Sequence, residues 1–221
     1  MIAAFFPGPV VDADVLAREV VLPGTKGLKK IVKEFGDDIL LPDGTLDRKK
    51  LGTIVFNDEA KRKKLNAIVH PAVRWAMFVK VIQHWVGSEK YCVLDVPLLI
   101  EGGVWRWVGK VVVVYCSAEL QLQRLMLRDN SSIDEASSRL NSQIPISDKV
   151  VYANVVLDNS GTQQELSEQV DKFVEKLDKE IGWLWWLGYI LPFVSLLSAV
   201  WVLASRRLRK RPVRVQKDKT N

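Results

Sequence analysis

Three short β-branched runs lead into residues that could handle a proton or a polar ligand. Residues 9–13 run into Asp12-Ala13-Asp14, residues 91–96 carry Asp95 just before Val96-Pro97, and residues 153–157 lead to Asp158-Asn159-Ser160-Gly161. In parallel α/β sheets, ligands gather at the carboxyl ends of the strands. A carboxylate there can accept a hydroxyl proton or hold a magnesium-bound water; it can equally cap the helix that follows. Two aspartates on different strands of one sheet would face one crevice. Arg124 and Arg128 lie four apart on one helix face, with Arg139 further on. Guanidinium groups so spaced suit polyphosphate oxygens under a polar cover, or ion pairs with Glu119 or Asp129 on a solvated face. Arg48-Lys49-Lys50 and Lys61-Arg62-Lys63-Lys64 read as solubilising faces that could also attract an anionic substrate. His70, just before Pro71, reads as a histidine at a helix junction, hydrogen-bonded to backbone by default.

The elements that must position these residues follow from periodicity. Residues 15–21 predict a helix stopped by Pro23-Gly24, and Leu28, Ile31, Val32 and Phe35 predict a second over 25–35 that ends at Gly36. Asp43-Gly44 marks a turn, and Asp47 is a candidate N-cap for a helix reaching Phe56. Residues 58–69 and 71–86 predict two further helices, the second opened by Pro71. The runs 91–96 and 110–116 are short, continuous and β-branched, and so are predicted as fully buried parallel strands. A helix over 118–128, a polar mixed stretch over 129–149, a strand over 153–157 and a helix over 162–181 complete the pattern. The reading is α/β, a parallel sheet with a helical insert at about residues 25–86.

With 221 residues, 48% hydrophobic and 26% charged, the chain is not of a disordered or collagen-like class. Two cysteines, Cys92 and Cys116, each within a strand-like run, exclude a disulfide framework and point to a reducing compartment. Two histidines, with no CxxC or HxxxH spacing, give no expectation of a metal site. Of the net charge of +6, residues 206–221 account for +7 (eight Lys/Arg, one Asp), leaving −1 over residues 1–205. The basicity therefore belongs to a tail, and no nucleic-acid partner is expected for the body. Residues 181–204 carry no formal charge. As a helix they would extend about 36 Å, against a hydrocarbon core of roughly 30 Å. Trp183, Trp185, Trp186 and Tyr189 sit at one end and Trp201 at the other, as an aromatic belt would have them. A transmembrane helix over 181–204 is the expectation, with Pro192 allowing a kink and residues 205–221 forming a basic tail. No signal peptide precedes the body, which favours a cytosolic body; Arg206, Arg207, Arg209, Lys210 and Arg211 favour the opposite orientation.

Several strings in series resemble the dephospho-coenzyme A kinases. They are residues 11–21 with Pro23-Gly24, Leu40-Leu41-Pro42-Asp43-Gly44 with Leu46-Asp47-Arg48, residues 65–71, residues 95–101, and Arg124 with Arg128-Asp129. The resemblance spans about residues 9–180. It implies a P-loop-kinase-like three-layer parallel sheet with a helical substrate insert and a lid at about 129–149. It also implies transfer of phosphate from ATP, with Mg2+, to the ribose 3′-hydroxyl of dephospho-CoA. On that resemblance Asp14 is the acid–base residue on the hydroxyl. Arg18, His70 and Pro97-Leu98-Leu99 lie in the CoA site, Arg124 and Arg128 are lid arginines, and Asn159 and Gly161 lie by the adenine of ATP. The family opens with a strand and a GxxGxGK[ST] loop; residues 1–8 here contain one Gly and no Lys. The expectation is therefore that the first strand and the phosphate loop are missing. It follows that strand edges inside the core would be unpaired at about 1–3 kcal/mol per orphan group, and that the chain is inactive as written. A membrane-tethered CoA-binding or scaffold protein without catalysis, or a different P-loop nucleotide kinase, are the alternatives.

Overall fold

The structure, a computed structural model, describes residues 5–56, 58–182, 200, 201 and 204. The segment 181–204 read above as a membrane helix lies almost wholly outside the described residues, and the basic tail lies entirely outside them. The chain divides after Pro97 into two units.

The first unit runs β1 (Val10–Asp12), α1 (Ala13–Glu19), α2 (Lys26–Phe35), α3 (Arg48–Phe56), α4 (Glu59–Val86) and β2 (Val93–Asp95). β1 and β2 pair in parallel with Val10 opposite Val93, Val11 opposite Leu94 and Asp12 opposite Asp95. Asp12 ends the strand by capping the helix: its carboxylate accepts from the backbone N–H of Asp14 at 2.7 Å and of Val15 at 3.1 Å. α1 accordingly starts at Ala13, two residues earlier than periodicity predicts, which puts Asp14 in its first turn and Arg18 in its last. Thr25 turns the chain into α2. Its Oγ1 accepts from the Leu28 N–H, and its hydroxyl lies 2.8 Å from the carbonyls of Val20 and of Leu22. Buried Val21, Ile31, Ile39 and Leu51 form a core to which Phe35, Ile54, Leu65 and Ile68 add from the surrounding helices.

α4 differs from expectation. Two helices divided at His70-Pro71 were predicted, and a single 28-residue helix passes through Pro71. Proline removes one backbone donor and crowds the preceding turn, a cost of about 3 kcal/mol in a helix interior. α4 meets this with packing against α1, α2 and α3, its Leu65, Ile68 and Val69 set against the core of the first unit.

The second unit holds a 3-10 turn (Val104–Trp107), β3 (Val112–Tyr115), α5 (Ala118–Asp129), α6 (Ile133–Asn141), α7 (Ile146–Val150), β4 (Val155–Asp158) and α8 (Gln163–Ile181). β3 and β4 are parallel, from Val112 opposite Val155 to Tyr115 opposite Asp158. Buried Ile100, Val111 and Val113 pack with Leu99, Trp105, Val108 and Tyr152. Trp105 meets Tyr152 edge-on at 5.2 Å between ring centres, and the Arg106 guanidinium lies 5.1 Å from the Trp105 ring centre. α8 packs on β4 and buries Leu166, Val170 and Phe173.

Two further expectations change. A single sheet was expected; among the described residues the strands form two separate two-stranded parallel ladders. The runs predicted as fully buried strands are only partly so. All three residues of β2 are half-buried, and within β3 only Val113 is buried. A strand with one hydrogen-bonded neighbour keeps an edge, and part of each face, open to water. The polar stretch 129–149 contains α6 and α7, and the reciprocal Ser132–Glu135 capping box that starts α6 was legible as S-x-x-E.

Candidate active site

In the first unit, the parallel register of β1 and β2 sets Asp12 beside Asp95, with Asp14 two residues beyond Asp12. Burial, and then the negative charges of Asp12 and Asp14, push the Asp95 carboxyl above the usual carboxylate range. Asp12 is committed to capping α1, whereas Asp14 is exposed on the first turn. Arg18 follows four residues on, so it shares a helix face with Asp14. It is exposed, and its carbonyl accepts from the Arg48 guanidinium at 3.4 Å. His70 is exposed on α4 within the helix rather than at a junction, and Pro97 is the last residue of the unit. The cluster can do simple chemistry. An exposed carboxylate such as that of Asp14 can take a hydroxyl proton.

The second unit holds the remaining candidates. Leu98 is exposed, but Leu99 packs inward against Ile100, Val111 and Val113, so the two leucines have different duties. Arg124 donates to the carbonyl of Asn159 at 2.5 Å, tying α5 to the loop after β4, while the Asn159 N–H donates to the Tyr115 carbonyl at 2.7 Å. Arg128 donates twice to Asp129, at 2.7 and 3.1 Å, and Arg139 donates to the same carboxylate at 2.6 Å. The hydrogen bond from Arg128, aided by both cationic charges, holds Asp129 below the usual carboxylate range. For Arg128 the ion-pair alternative is therefore the observed one. Gly161 has a local cause: a Cβ there would overlap the Glu165 carboxylate, which accepts from the Thr162 N–H at 2.9 Å to start α8.

Sequence reasoning offered Asp129 as a partner for Arg128, and the structure adds Arg139 to the same carboxylate. It passed over one acceptor. Glu101 accepts from Lys149 at 2.9 Å and from the Ile144 N–H at 3.3 Å, joining the 97–101 turn to α7 and the segment before it. Burial raises the Glu101 carboxyl, but the hydrogen bonds and charge of Lys149 outweigh it and leave the group low. Nothing in the spacing of residues 101 and 149 announces that pair.

The family model for dephospho-CoA kinase matches residues 2–165. The chain belongs to the dephospho-CoA kinase family. It is 46% identical over 170 residues to the dephospho-CoA kinase of Geobacillus kaustophilus, covering 77% of this chain and 85% of that protein. It is 41% identical over 176 residues to the dephospho-CoA kinase of Arabidopsis thaliana, covering 80% of this chain and 76% of that one. The solved dephospho-CoA kinase of Campylobacter jejuni superposes with a TM-score of 0.61 at 31% identity, covering 81% of this chain and 89% of that structure. Membership in the dephospho-CoA kinase family makes the chain a phosphotransferase by descent, with ATP as the donor that such kinases use. The residues present fit that donor in part. Arg124 and the Asn159–Gly161 loop could meet its base and outer phosphates, but the 221 residues contain no GxxGxGK[ST] run to cradle a triphosphate. Among the described residues, no group of three or more His, Cys, Asp or Glu is arranged to hold a metal ion.

Proposed function

We propose that this chain is a dephospho-CoA kinase in which Asp14 receives the proton of the ribose 3′-hydroxyl as that oxygen bonds to the γ-phosphorus of ATP and the bond from that phosphorus to the β–γ bridging oxygen breaks, ADP leaving with that oxygen. The observation that carries the assignment is the division of labour among three carboxyls. Asp12 is occupied as a cap, Asp95 is half-buried beside it on the neighbouring strand, and Asp14 is the exposed member of the three. Arg18 and His70 would hold the anionic groups of dephospho-CoA, with Pro97 and Leu98 against its apolar part; Leu99 supports that turn from the core. Arg124, Arg128, Asn159 and Gly161 would serve ATP, and Arg128 would first have to leave Asp129. Magnesium, expected with ATP, meets no group of three or more His, Cys, Asp or Glu among the described residues. In this reading residues 1–180 are the kinase-like domain, with the CoA insert at about 25–86 and the lid, carrying α6 and α7, at about 129–149. Residues 181–204 are a transmembrane helix and 205–221 a basic tail, a reading that rests on the uncharged apolar sequence alone.

Calorimetry on the full chain tests the proposal. Dephospho-CoA should bind measurably and ATP more weakly by orders of magnitude, because a phosphate cradle contributes several charge-assisted hydrogen bonds of about 1.5–3 kcal/mol each. His70→Ala should weaken dephospho-CoA and leave ATP unchanged. Failure of dephospho-CoA to bind, or binding that His70→Ala leaves unchanged, would sink the proposal. The competing reading, a membrane-tethered CoA-binding protein, draws on the capture of Arg128 and Arg139 by Asp129. It is separated by adding a family N-terminus in frame. Transfer that appears and then vanishes with Asp14→Asn identifies the enzyme, and binding without transfer identifies the alternative.

A further inference from the structure

α4 carries an apolar ridge that nothing among the described residues covers. Trp75, Phe78, Ile82, Trp85 and Val86 recur at spacings of three, four, three and one, the period of one helix face. All are exposed; Trp75 retains 65% and Val86 57% of its accessible surface. The Trp75 and Phe78 rings lie 5.6 Å apart. At about 1.5 Å per residue the ridge is roughly 16 Å long. α4 is also the one helix among the described residues long and apolar enough to cross a membrane. It does not read as a span. Met77 on its other face is buried, α1, α2 and α3 pack along it, and Lys61, Arg62, Lys63, Lys64 and Lys80 lie within its length.

The surroundings of the ridge select its occupant. Trp75 also lines an open cavity of about 500 Å³ with Ala72 and Pro71 of α4, and the rim from the facing helices carries Lys26, Lys30 and Glu19. Arg74 borders the ridge on its own helix and is exposed. Aromatic rings at both ends of an apolar helix face, bordered by cations, suit the headgroup boundary of a bilayer; protein interfaces are depleted in lysine. We propose that this face of α4, with Lys26 and Lys30, is a membrane-interface surface that lies on anionic lipid headgroups. It rests neither on Asp14 chemistry nor on residues 181–204 acting as the anchor.

The test uses the full chain reconstituted in vesicles, with an environment-sensitive fluorophore on Phe78→Cys, the parent chain as a blank for the native cysteines, and Glu168→Cys on α8 as a control. In vesicles with equal parts phosphatidylcholine and phosphatidylserine, the residue 78 probe should shift to the blue. It should be quenched by lipids brominated on the acyl chain and be shielded from aqueous iodide, whereas the residue 168 probe should behave in the opposite way. Replacing both Lys26 and Lys30 by Glu should lower the partition constant onto these vesicles, by about fivefold or more for each lysine replaced, and leave pure phosphatidylcholine unaffected. A residue 78 probe that stays open to iodide on both compositions overturns the proposal. So does shielding that needs no lipid and grows with protein concentration, which would make the ridge a contact between copies of this chain.

Discussion

Asp12 performs two functions that one substitution can separate, capping α1 and raising the proton affinity of Asp95. Asp12→Ala removes both. Asp12→Asn keeps a side-chain oxygen for the cap and removes only the charge. Loss of an N-cap costs about 1 kcal/mol, equivalent to about 2–4 °C in Tm for a chain of this size, and should speed exchange of the Asp14 and Val15 amides about fivefold. The charge acts through linkage. A carboxyl whose folded pKa lies above its unfolded value binds its proton more tightly in the folded state, so stability falls as pH rises from the ordinary carboxylate range through the raised Asp95 value. Above that window the penalty is fully present; below it, the penalty is absent. Asp12→Asn should shrink this decline without abolishing it, because burial is the larger cause and Asp14 remains. The assay pairs urea unfolding across that window with carboxyl-carbon NMR of Asp95 and amide exchange of residues 14 and 15. If Asp12→Asn destabilises as much as Asp12→Ala, the cap has been misread. If the Asp95 titration does not move in Asp12→Asn, the coupling has been misread.

Gly161→Ala should lower stability by about 1–2 kcal/mol, seen as a fall in Tm, by driving Glu165 out of the α8 cap; in a Glu165→Ala background the same change should cost far less. Arg124→Ala should leave dephospho-CoA affinity unchanged in calorimetry but destabilise the second unit by about 1.5–3 kcal/mol, since a half-buried guanidinium bond to the Asn159 carbonyl is lost. The bonds from Arg128 and Arg139 to Asp129 contribute stability that is present above the unfolded carboxylate pKa and lost as pH falls through the depressed folded value. Asp129→Asn should flatten that acid-side loss in urea titrations, and an unchanged acid limb would show that the pair contributes nothing.

The family, the parallel α/β pattern and the helices outside residues 129–149 were legible in sequence, α4 as two pieces, because they depend on local chemistry. Strand-end aspartates, helical spacing such as Leu28, Ile31, Val32 and Phe35, and motifs in a fixed order all survive without knowledge of partners. The cap alternative for an aspartate after β1 was legible as well, but the sequence could not say which of Asp12 and Asp14 would take it. That choice was made by the start of α1, which placed the Asp12 oxygen over two amides. Pro71 looked like a boundary because its missing N–H is a local fact, while the helices that hold α4 continuous come from elsewhere in the chain. Leu98 and Leu99 are identical neighbours in sequence, and only packing against Ile100, Val111 and Val113 separated the exposed one from the half-buried one. The grip of Asp129 on Arg128 and Arg139, the Glu101–Lys149 pair and the open aromatic ridge of α4 likewise belong to the tertiary structure. Each depends on side chains whose distance in space, or whose lack of a covering neighbour, is set by how helices pack rather than by what any segment prefers alone.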